Sequence, residues 1–345
     1  MENDYSLLPF VSIVIPVLNS VSDVSDCIQS LFSQNYPNEK FEIIVVDNGS
    51  TDGTFELLQN HPVTTLQRQE KGRAKALNIG VKHARGEFIC TTDISCRPES
   101  NWLRTIVQSF NDPSVAVVAG EIKLLKIVDN LVIRFQERTN YMSPMHALSR
   151  TKLPFLPFAD GANASFRRDV FDKIGWFEES FSKGADVEIC YRLFILTEYK
   201  IHFNYNAVIW EPGEPTLKDL LFQRYRIGIG RNLLQLKFPQ LFEQPSKTKT
   251  LKKRYWQTNR ALHNTCLIII NNIQMIFGNK KNTAIDANFR LLMSIAQWLG
   301  RIKGRKQIER TKTYPNPIKA YILLNFINKC DQVSNRVITT EHIKL

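Results

Sequence analysis

Two carboxylates stand at the ends of apolar runs, where they could bind a polar ligand. Asp47 follows the run IIVV at 43–46, and Asp93 follows FICTT at 88–92. Such runs are typical of strands buried in a parallel sheet, whose carboxyl ends form the ligand-binding edge. Both carboxylates are therefore predicted at one edge, where Asp47 could accept hydrogen bonds from a base or a sugar. The alternative is that Asp47 only caps the turn DNGSTDG.

A glycine and two cations lie between these runs. Gly72, Arg73 and Lys75 open the stretch GRAKALNIG, which is predicted to form a helix. Free N–H groups at a helix start, together with cationic side chains, favour binding of a phosphate. A solvated basic helix start is the alternative interpretation.

The elements that position these residues alternate between strand and helix. A strand at 11–17 precedes a helix with apolar residues at 27, 28, 31 and 32, and the strand ending at Asp47 follows. A short helix from Thr54 leads to a third strand near 63–67. This order predicts right-handed β-α-β crossovers and a doubly wound α/β sheet.

The charge of the chain is concentrated in one region. The 345 residues carry a net charge of +12, and residues 245–312 hold 15 Lys and Arg against 2 Asp and Glu. This excess indicates an anionic partner, either a membrane surface or nucleic acid.

The six cysteines form no CxxC pair, which is typical of reduced thiols in a cytosolic protein. Neither a signal peptide nor an apolar run of membrane-spanning length is recognisable.

Apolar residues recur at helical spacing in the basic region. One stripe runs through 262–277 and a second through 285–299, and both are too short and polar to span a bilayer easily. Trp298 and the basic run 301–306 suit a helix that lies in a membrane interface. The alternative is ordinary packing of two helices onto the preceding domain. Residues 313–345 show no motif.

Six stretches resemble, in order and approximate spacing, the inverting glycosyltransferases of family 2. They cover roughly 11–232 and read VSIVIPVLN, VVDNGSTDGT, GRAKALNIG, GEFICTTDISCRPESNWL, GANASFRRDVFDKIGWFEE and GADVEICYRL. The resemblance implies an α/β domain of the GT-A fold, a Rossmann-like mixed sheet flanked by helices, over 1–240. A basic helical appendage is expected over 241–345.

The resemblance also implies roles for single residues. Asp186 would be the catalytic base that takes the acceptor's proton, although it could instead only cap a helix. The acceptor floor would be lined by Gly161, Ala162 and Asn163. Asp47 would hold the base of the donor, and Asp93 would lie near ribose and diphosphate. The other donor contacts would come from Pro16, Val17, Asn19, Gly72, Arg73, Lys75 and Arg226.

The sequence departs from the family at the metal motif. Asp93 matches the first acid of Asp-x-Asp, but Ser95 stands where the second acid normally binds Mn²⁺ or Mg²⁺. A hydroxyl is a poorer ligand than a carboxylate for such a cation. Glu211 stands near the place of a late His ligand and is a weak substitute. We therefore expect reduced or absent metal dependence, with cations of the protein acting on the diphosphate.

The resulting hypothesis is an enzyme of polysaccharide or glycoconjugate synthesis. It would transfer a sugar, with inversion, from a nucleotide diphosphate donor to a hydroxyl of a glycan or lipid-linked acceptor. It would act in the cytoplasm or on the cytoplasmic face of an anionic membrane, held there through 245–312. The alternative is a catalytically silent GT-A-like protein that binds a nucleotide sugar or an assembly partner. Nucleic acid is not expected as a partner, because no recognition motif accompanies the basic stretch.

Overall fold

The computed structural model describes residues 7–69, 71–145, 155–239, 241–242, 281–311 and 336–339. The chain divides into two compact units. The first comprises Met1–Ile127, Asn140–Gly213 and Tyr321–Leu345, and the second Val128–Thr139 and Glu214–Ala320. The apolar stripe predicted at 262–277 and the basic residues between 245 and 262 lie outside the described residues. The domain boundary expected at residue 240 stays a prediction.

A mixed sheet forms the centre of the first unit. Its described strands are β1 (Val11–Val17), β2 (Phe41–Asp47), β3 (Thr64–Gln67), β4 (Phe88–Thr91), β5 (Arg97–Pro98), β6 (Val115–Leu125), β7 (Ala164–Arg167), β8 (Lys200–Pro212) and β9 (Val337–Thr339). Their order is β3-β2-β1-β4-β7-β6-β8-β5, with β9 paired to β8. Strands β1 to β4 are mutually parallel, whereas β7 runs antiparallel to both β4 and β6. The α/β sheet predicted from the sequence is confirmed.

Helices connect these strands and form the second unit. They are α1 (Val24–Phe32), α2 (Thr54–Leu58), α3 (Arg73–His83), α4 (Trp102–Ser109), α5 (Leu131–Arg138), α6 (Asp169–Ile174), α7 (Ala185–Leu196), α8 (Leu217–Lys237) and α9 (Lys281–Thr311). The first unit contains α1 to α4, α6 and α7, whereas α5, α8 and α9 belong to the second.

The two faces of the sheet bury different helices. Ile13 and Ile15 of β1 share a hydrophobic core with residues of α1 and α4. Val14, which points to the opposite face because side chains alternate along a strand, meets α3. A Cβ added to Gly80 of α3 would lie only 2.3 Å from Cγ1 of Val14. The absence of a side chain at Gly80 therefore allows α3 to lie close against the sheet.

A buried asparagine joins α3 to the segment that precedes α7. The side-chain amide of Asn78 donates to the carbonyl of Phe177 at 2.9 Å and accepts from the Phe177 N–H at 2.9 Å. This pair of bonds satisfies backbone groups that would otherwise be buried without partners. It also fixes α3 relative to the segment that leads to Asp186.

The second unit depends on close contact between α8 and α9. A Cβ on Gly300 would lie 2.0 Å from the carbonyl oxygen of Tyr225, and one on Gly228 would lie 2.1 Å from that of Gln297. Phe135 of α5 packs on Phe289 of α9 with ring centroids 5.0 Å apart. Among the described residues, no helix is both long and apolar enough to cross a membrane.

Replacing Gly300 with alanine should lower the stability of the second unit. In an isolated helix, alanine is favoured over glycine by about 1 kcal/mol. Here the added methyl would meet the backbone of Tyr225, so the helices must separate, at a cost of about 1–3 kcal/mol. Thermal unfolding should show a lower midpoint for Gly300→Ala. Ser294→Ala, on an exposed position of the same helix, is the matched control and should not lower it. An unchanged or raised midpoint for Gly300→Ala would show that the close approach is not required.

Candidate functional site

Asp47 ends β2 at the carboxyl edge of the sheet and lies beside Val17 of β1. Its carboxylate is buried and accepts the N–H groups of Gly49 at 3.3 Å and Ser50 at 3.2 Å. Gly49 has φ +85°, a left-handed conformation that glycine adopts without strain. Asp47 therefore shapes the turn after β2. Its proposed contact with a donor base is an additional role that stays a prediction.

Asparagines connect the loops at this edge. Asn19, after β1, accepts the Thr51 N–H at 2.8 Å, and its own N–H donates to the Ser50 hydroxyl at 2.8 Å. Asn48, after β2, accepts the Gly72 N–H at 3.1 Å. The turns after β1 and β2 and the start of α3 are thus linked by hydrogen bonds. Val17 pairs with Asp47 and Asn19 bonds to the turn after β2, whereas Pro16 pairs with Val46 within the strand. The contact of these three residues with a donor stays a prediction.

Arg73, the first residue of α3, forms an ion pair with Asp93 in the loop after β4. The two side chains are 34% and 32% exposed, so both remain accessible to a ligand. The guanidinium also lies against the loop before β7, since a Cβ on Gly161 would be 2.9 Å from Nη1 of Arg73. The sequence predicts a phosphate site at Arg73 and a ligand contact at Asp93. The structure brings the two residues into direct contact.

Asp186 lies in the first turn of α7 and faces the same loop. One carboxylate oxygen accepts the Gly161 N–H at 3.1 Å, and the other accepts the Val187 N–H at 3.0 Å. Asp160, one residue before Gly161, accepts the Ala162 N–H at 3.1 Å. The predicted base and the predicted acceptor residues Gly161 and Ala162 therefore form one local cluster.

These residues surround an open pocket within the first unit. Arg73 and Asp93 line it together with Asp160, Lys183 and Asp186. Its remaining lining residues are Ala74, Leu77, Phe181, Ser182, Gly184 and Ala185. The pocket thus brings together the start of α3, the loop after β4, the 160–162 loop and the start of α7.

The acids in and around the pocket influence one another. Burial raises the pKa of the Asp160 carboxyl, and the charge of Asp186 raises it further. Burial also raises the pKa of Glu211, near the end of β8, to about 8, and the charge of Asp93 adds to the effect. Burial lowers the pKa of Arg73, but Asp93 and Asp186 more than compensate, so this pKa is raised overall. The arginine is therefore charged, while Asp160 and Glu211 ionise less readily than ordinary carboxyls.

The residues at the positions of the family's metal motif, where Ser95 replaces the second acid, do not fit a divalent cation. No group of three or more His, Cys, Asp or Glu side chains is arranged to hold a metal ion in the described part of the chain. Asp93 is already paired with Arg73. Glu211 belongs to no such group. Ser95 offers only a hydroxyl.

Asn163 holds strands together from within the core. Its side-chain oxygen accepts the Trp102 indole N–H at 2.8 Å, and its nitrogen donates to the carbonyls of Glu121 and Ala207, each at 2.9 Å. The residue is 1% exposed. These contacts position the loop that carries Gly161 and Ala162, while the amide itself faces away from solvent.

Other predicted donor residues lie in different surroundings. Gly72 and Lys75 are partly buried at the start of α3, and the aliphatic part of Lys75 lies 3.5 Å from a Cβ built on Gly72. Arg226 is exposed on α8 of the second unit. Its contact with a diphosphate stays a prediction.

Sequence reasoning missed Asp160 and Lys183 as pocket residues. Both stand directly beside motifs that were recognised, Asp160 before Gly161-Ala162-Asn163 and Lys183 before Gly184-Ala185-Asp186. A charged side chain next to a glycine in a site loop was the available signal. Whether such a side chain points into the pocket depends on how two loops that are distant in sequence fold together.

Comparison with known proteins relates this geometry to a family. The model of "Glycosyl transferase family 2" matches residues 12–175, and that of "Glycosyl transferase family group 2" matches 95–299. Glycosyltransferase AglE of Haloferax volcanii is 27% identical over 232 residues, which cover 66% of this chain and 74% of that protein. Beta-monoglucosyldiacylglycerol synthase of Nostoc sp. is 26% identical over 232 residues, and the match spans 65% of this chain but 49% of the synthase.

A solved structure supports the same assignment at the level of the fold. Mannosyltransferase PcManGT from Pyrobaculum calidifontis, in complex with GDP-Man and Mn²⁺, has a TM-score of 0.58 to this chain. The two are 20% identical, and the superposition covers 88% of this chain and 89% of the other. The sequence-based predictions of family, fold class and enzyme are confirmed. The chain belongs to the family 2 group of glycosyl transferases and is a glycosyltransferase with the GT-A fold.

Proposed function

We propose that the enzyme transfers a sugar from a nucleoside diphosphate donor to an acceptor hydroxyl with inversion, and that Asp186 is the general base. The observation that carries this proposal is the placement of Asp186 in one pocket with Arg73 and Asp93. A base and a cation in the same pocket meet the two needs of the reaction. The acceptor must lose a proton, and the leaving group must be stabilised as it gains negative charge.

The proposed reaction is a single displacement. The acceptor oxygen forms a bond to the anomeric carbon as its proton passes to Asp186. The bond between that carbon and the diphosphate oxygen breaks, and its electron pair leaves with the nucleoside diphosphate. Hydrogen bonds from Gly161 and Val187 hold the Asp186 carboxylate in a fixed orientation. We assign the acceptor to the side of the pocket formed by the loop of Asp160, Gly161 and Ala162, of which Asp160 lines the pocket, and Asn163 positions that loop.

The donor site is proposed at the carboxyl edge of β1, β2 and β4. The turn shaped by Asp47 receives the base, with Pro16, Val17 and Asn19 beside it, and the diphosphate lies toward Arg73. The structural neighbour PcManGT, with GDP-Man bound, supports a nucleotide sugar as donor class. The metal motif of this chain has lost an acid, so we propose reduced or absent dependence on a divalent cation.

Asp186→Asn should separate catalysis from binding. Asparagine keeps the size of the side chain and can still accept hydrogen bonds, but it cannot take a proton at neutral pH. Turnover should fall by a factor of about 10² or more, while the affinity for UDP or GDP stays near that of wild type. Sugar transfer and nucleotide binding are the two measurements.

A matched control for this substitution is Asp169→Asn. Asp169 is also in the first turn of a helix, α6, and pairs with Lys173 at an exposed position. Turnover of this variant should stay near wild type. If Asp186→Asn transfers sugar as fast as the control, Asp186 caps its helix and is not the base.

The ionisation of Glu211 should make donor binding depend on pH. The pKa of about 8 means that Glu211 is mostly neutral at pH 7 and mostly charged at pH 9. The added negative charge near Asp93 disfavours an anionic diphosphate. The affinity for UDP or GDP should therefore fall between pH 7 and pH 9. In Glu211→Gln, the fall should be smaller. Equal pH dependence in the two proteins would exclude Glu211 as the cause.

We also propose that the basic region 245–312 brings the enzyme to an anionic membrane surface. Helix α9 presents an exposed apolar face, which lies within an arc of roughly 120° at about 100° per residue. This α9 face consists of Leu292, Ile295, Trp298, Leu299 and Ile302. Phe289 and Met293, on another side of the helix, are buried. The exposed cations Lys303, Arg305 and Lys306 follow closely.

This combination of residues favours a lipid interface. Tryptophan prefers the boundary between headgroups and acyl chains, and each nearby cation gains about 1 kcal/mol at an anionic surface. A membrane location agrees with a lipid-linked acceptor. One relative, beta-monoglucosyldiacylglycerol synthase, is named for a glycolipid product.

Vesicle binding tests the α9 face. The full chain should sediment with vesicles that contain phosphatidylglycerol and should bind less as salt rises. Replacing Trp298 and Ile302 with serine should weaken binding about tenfold or more, because two apolar side chains no longer leave water. Leu131→Ser, at an exposed apolar position of α5, is the control and should bind as wild type does. Equal binding of all three proteins would show that the α9 face does not contact lipid.

A further inference from the structure

Arg73 occupies a central position in the pocket. It bonds to Asp93 on one side and lies against Gly161 on the other, while its side chain stays 34% exposed. A guanidinium has five N–H donors, and the ion pair with Asp93 does not use all of them. Arg73 can therefore hold Asp93 and an anionic ligand at the same time.

Lys183 is a second cation on the same pocket. It is partly buried, and within the described residues it forms no hydrogen bond or ion pair. It lines the pocket together with Asp160 and Asp186, so its positive charge lies among acids. An ammonium with three available donors on a ligand pocket is well suited to a phosphate.

The balance of charge makes these cations necessary. Asp93, Asp160 and Asp186 line the pocket, and a diphosphate adds more negative charge when it enters. The side chains at the family's metal motif do not fit a divalent cation, as shown above. The positive charge for the donor must then come from the chain itself.

We propose that Arg73 and Lys183 together replace the divalent cation as the counter-charge of the donor diphosphate. The inference rests on the proposed function and adds the residues that carry out one part of it. When the anomeric bond breaks, its electron pair passes to the diphosphate oxygen. The N–H groups of Arg73 and the ammonium of Lys183 stabilise that charge, and the acceptor's proton goes to Asp186.

Nucleotide binding without metal is the first test. Calorimetry should show that wild type binds UDP or GDP equally well with EDTA and with Mn²⁺. Arg73→Ala and Lys183→Ala should each lower that affinity about tenfold or more, since each removes a charged hydrogen-bond donor. Arg73→Lys should recover part of the loss. Arg85→Ala is the matched control and should bind normally, because Arg85 pairs with Glu42 near the amino end of β2.

Metal binding provides a second, independent measurement. Electron paramagnetic resonance should detect little Mn²⁺ bound to wild type with UDP or GDP present. In the double variant Arg73→Ala with Ser95→Asp, a second acid joins a released Asp93. This variant should bind Mn²⁺, and its nucleotide affinity should depend on the metal.

The outcomes separate the inference from the function on which it rests. If wild type binds nucleotide only when Mn²⁺ is present, the inference is wrong while the donor class stands. If Arg73→Ala and Lys183→Ala bind as tightly as Arg85→Ala in EDTA, the inference is also wrong. If neither UDP nor GDP binds under any condition, the proposed donor class fails and this inference fails with it. Metal-independent binding that requires both cations supports it.

Discussion

The ion pair between Arg73 and Asp93 is the interaction on which the site depends. It joins the start of α3 to the loop after β4, and Arg73 also contacts the loop that carries Gly161. Acids from elements that are distant in sequence meet at this edge, so their mutual repulsion must be balanced. Arg73 provides a charge between Asp93 and Asp186, both of which raise its pKa. The same ion pair thus holds the loops together and places a positive charge in the pocket.

Buried amides hold the elements that bring these charges together. Asn78 connects α3 to the segment before α7, and Asn163 connects the 160–164 loop to β6 and β8. An amide can satisfy a carbonyl and an N–H together without adding charge to an already acidic region. The site therefore rests in part on neutral side chains in the core.

The sequence predicted the fold well because its signals are local. The runs VSIVIPV and FEIIVVD give buried strands, and the strand-end acids Asp47 and Asp93 lie at the predicted edge. The motif order led to the family. The arrangement of the pocket was harder to predict from the sequence. Asp160 and Lys183 become pocket residues only because two loops that are distant in sequence come together. The use of the Asn163 amide within the core likewise depends on Trp102 and on strands far away in sequence.

An arginine is a different kind of counter-charge from a metal ion. Its charge is delocalised over a planar group, and its position is set by folding instead of by the supply of a cation. A divalent ion leaves when its ligands are lost or protonated, whereas Arg73 remains charged over the whole physiological range of pH. Ser95, which stands where the family's motif has an acid, adds no negative charge next to Asp93 and its partner Arg73. A carboxylate at that position would need a further positive charge. In the mechanism that we propose, a neutral serine and a charged arginine therefore complement each other at this site.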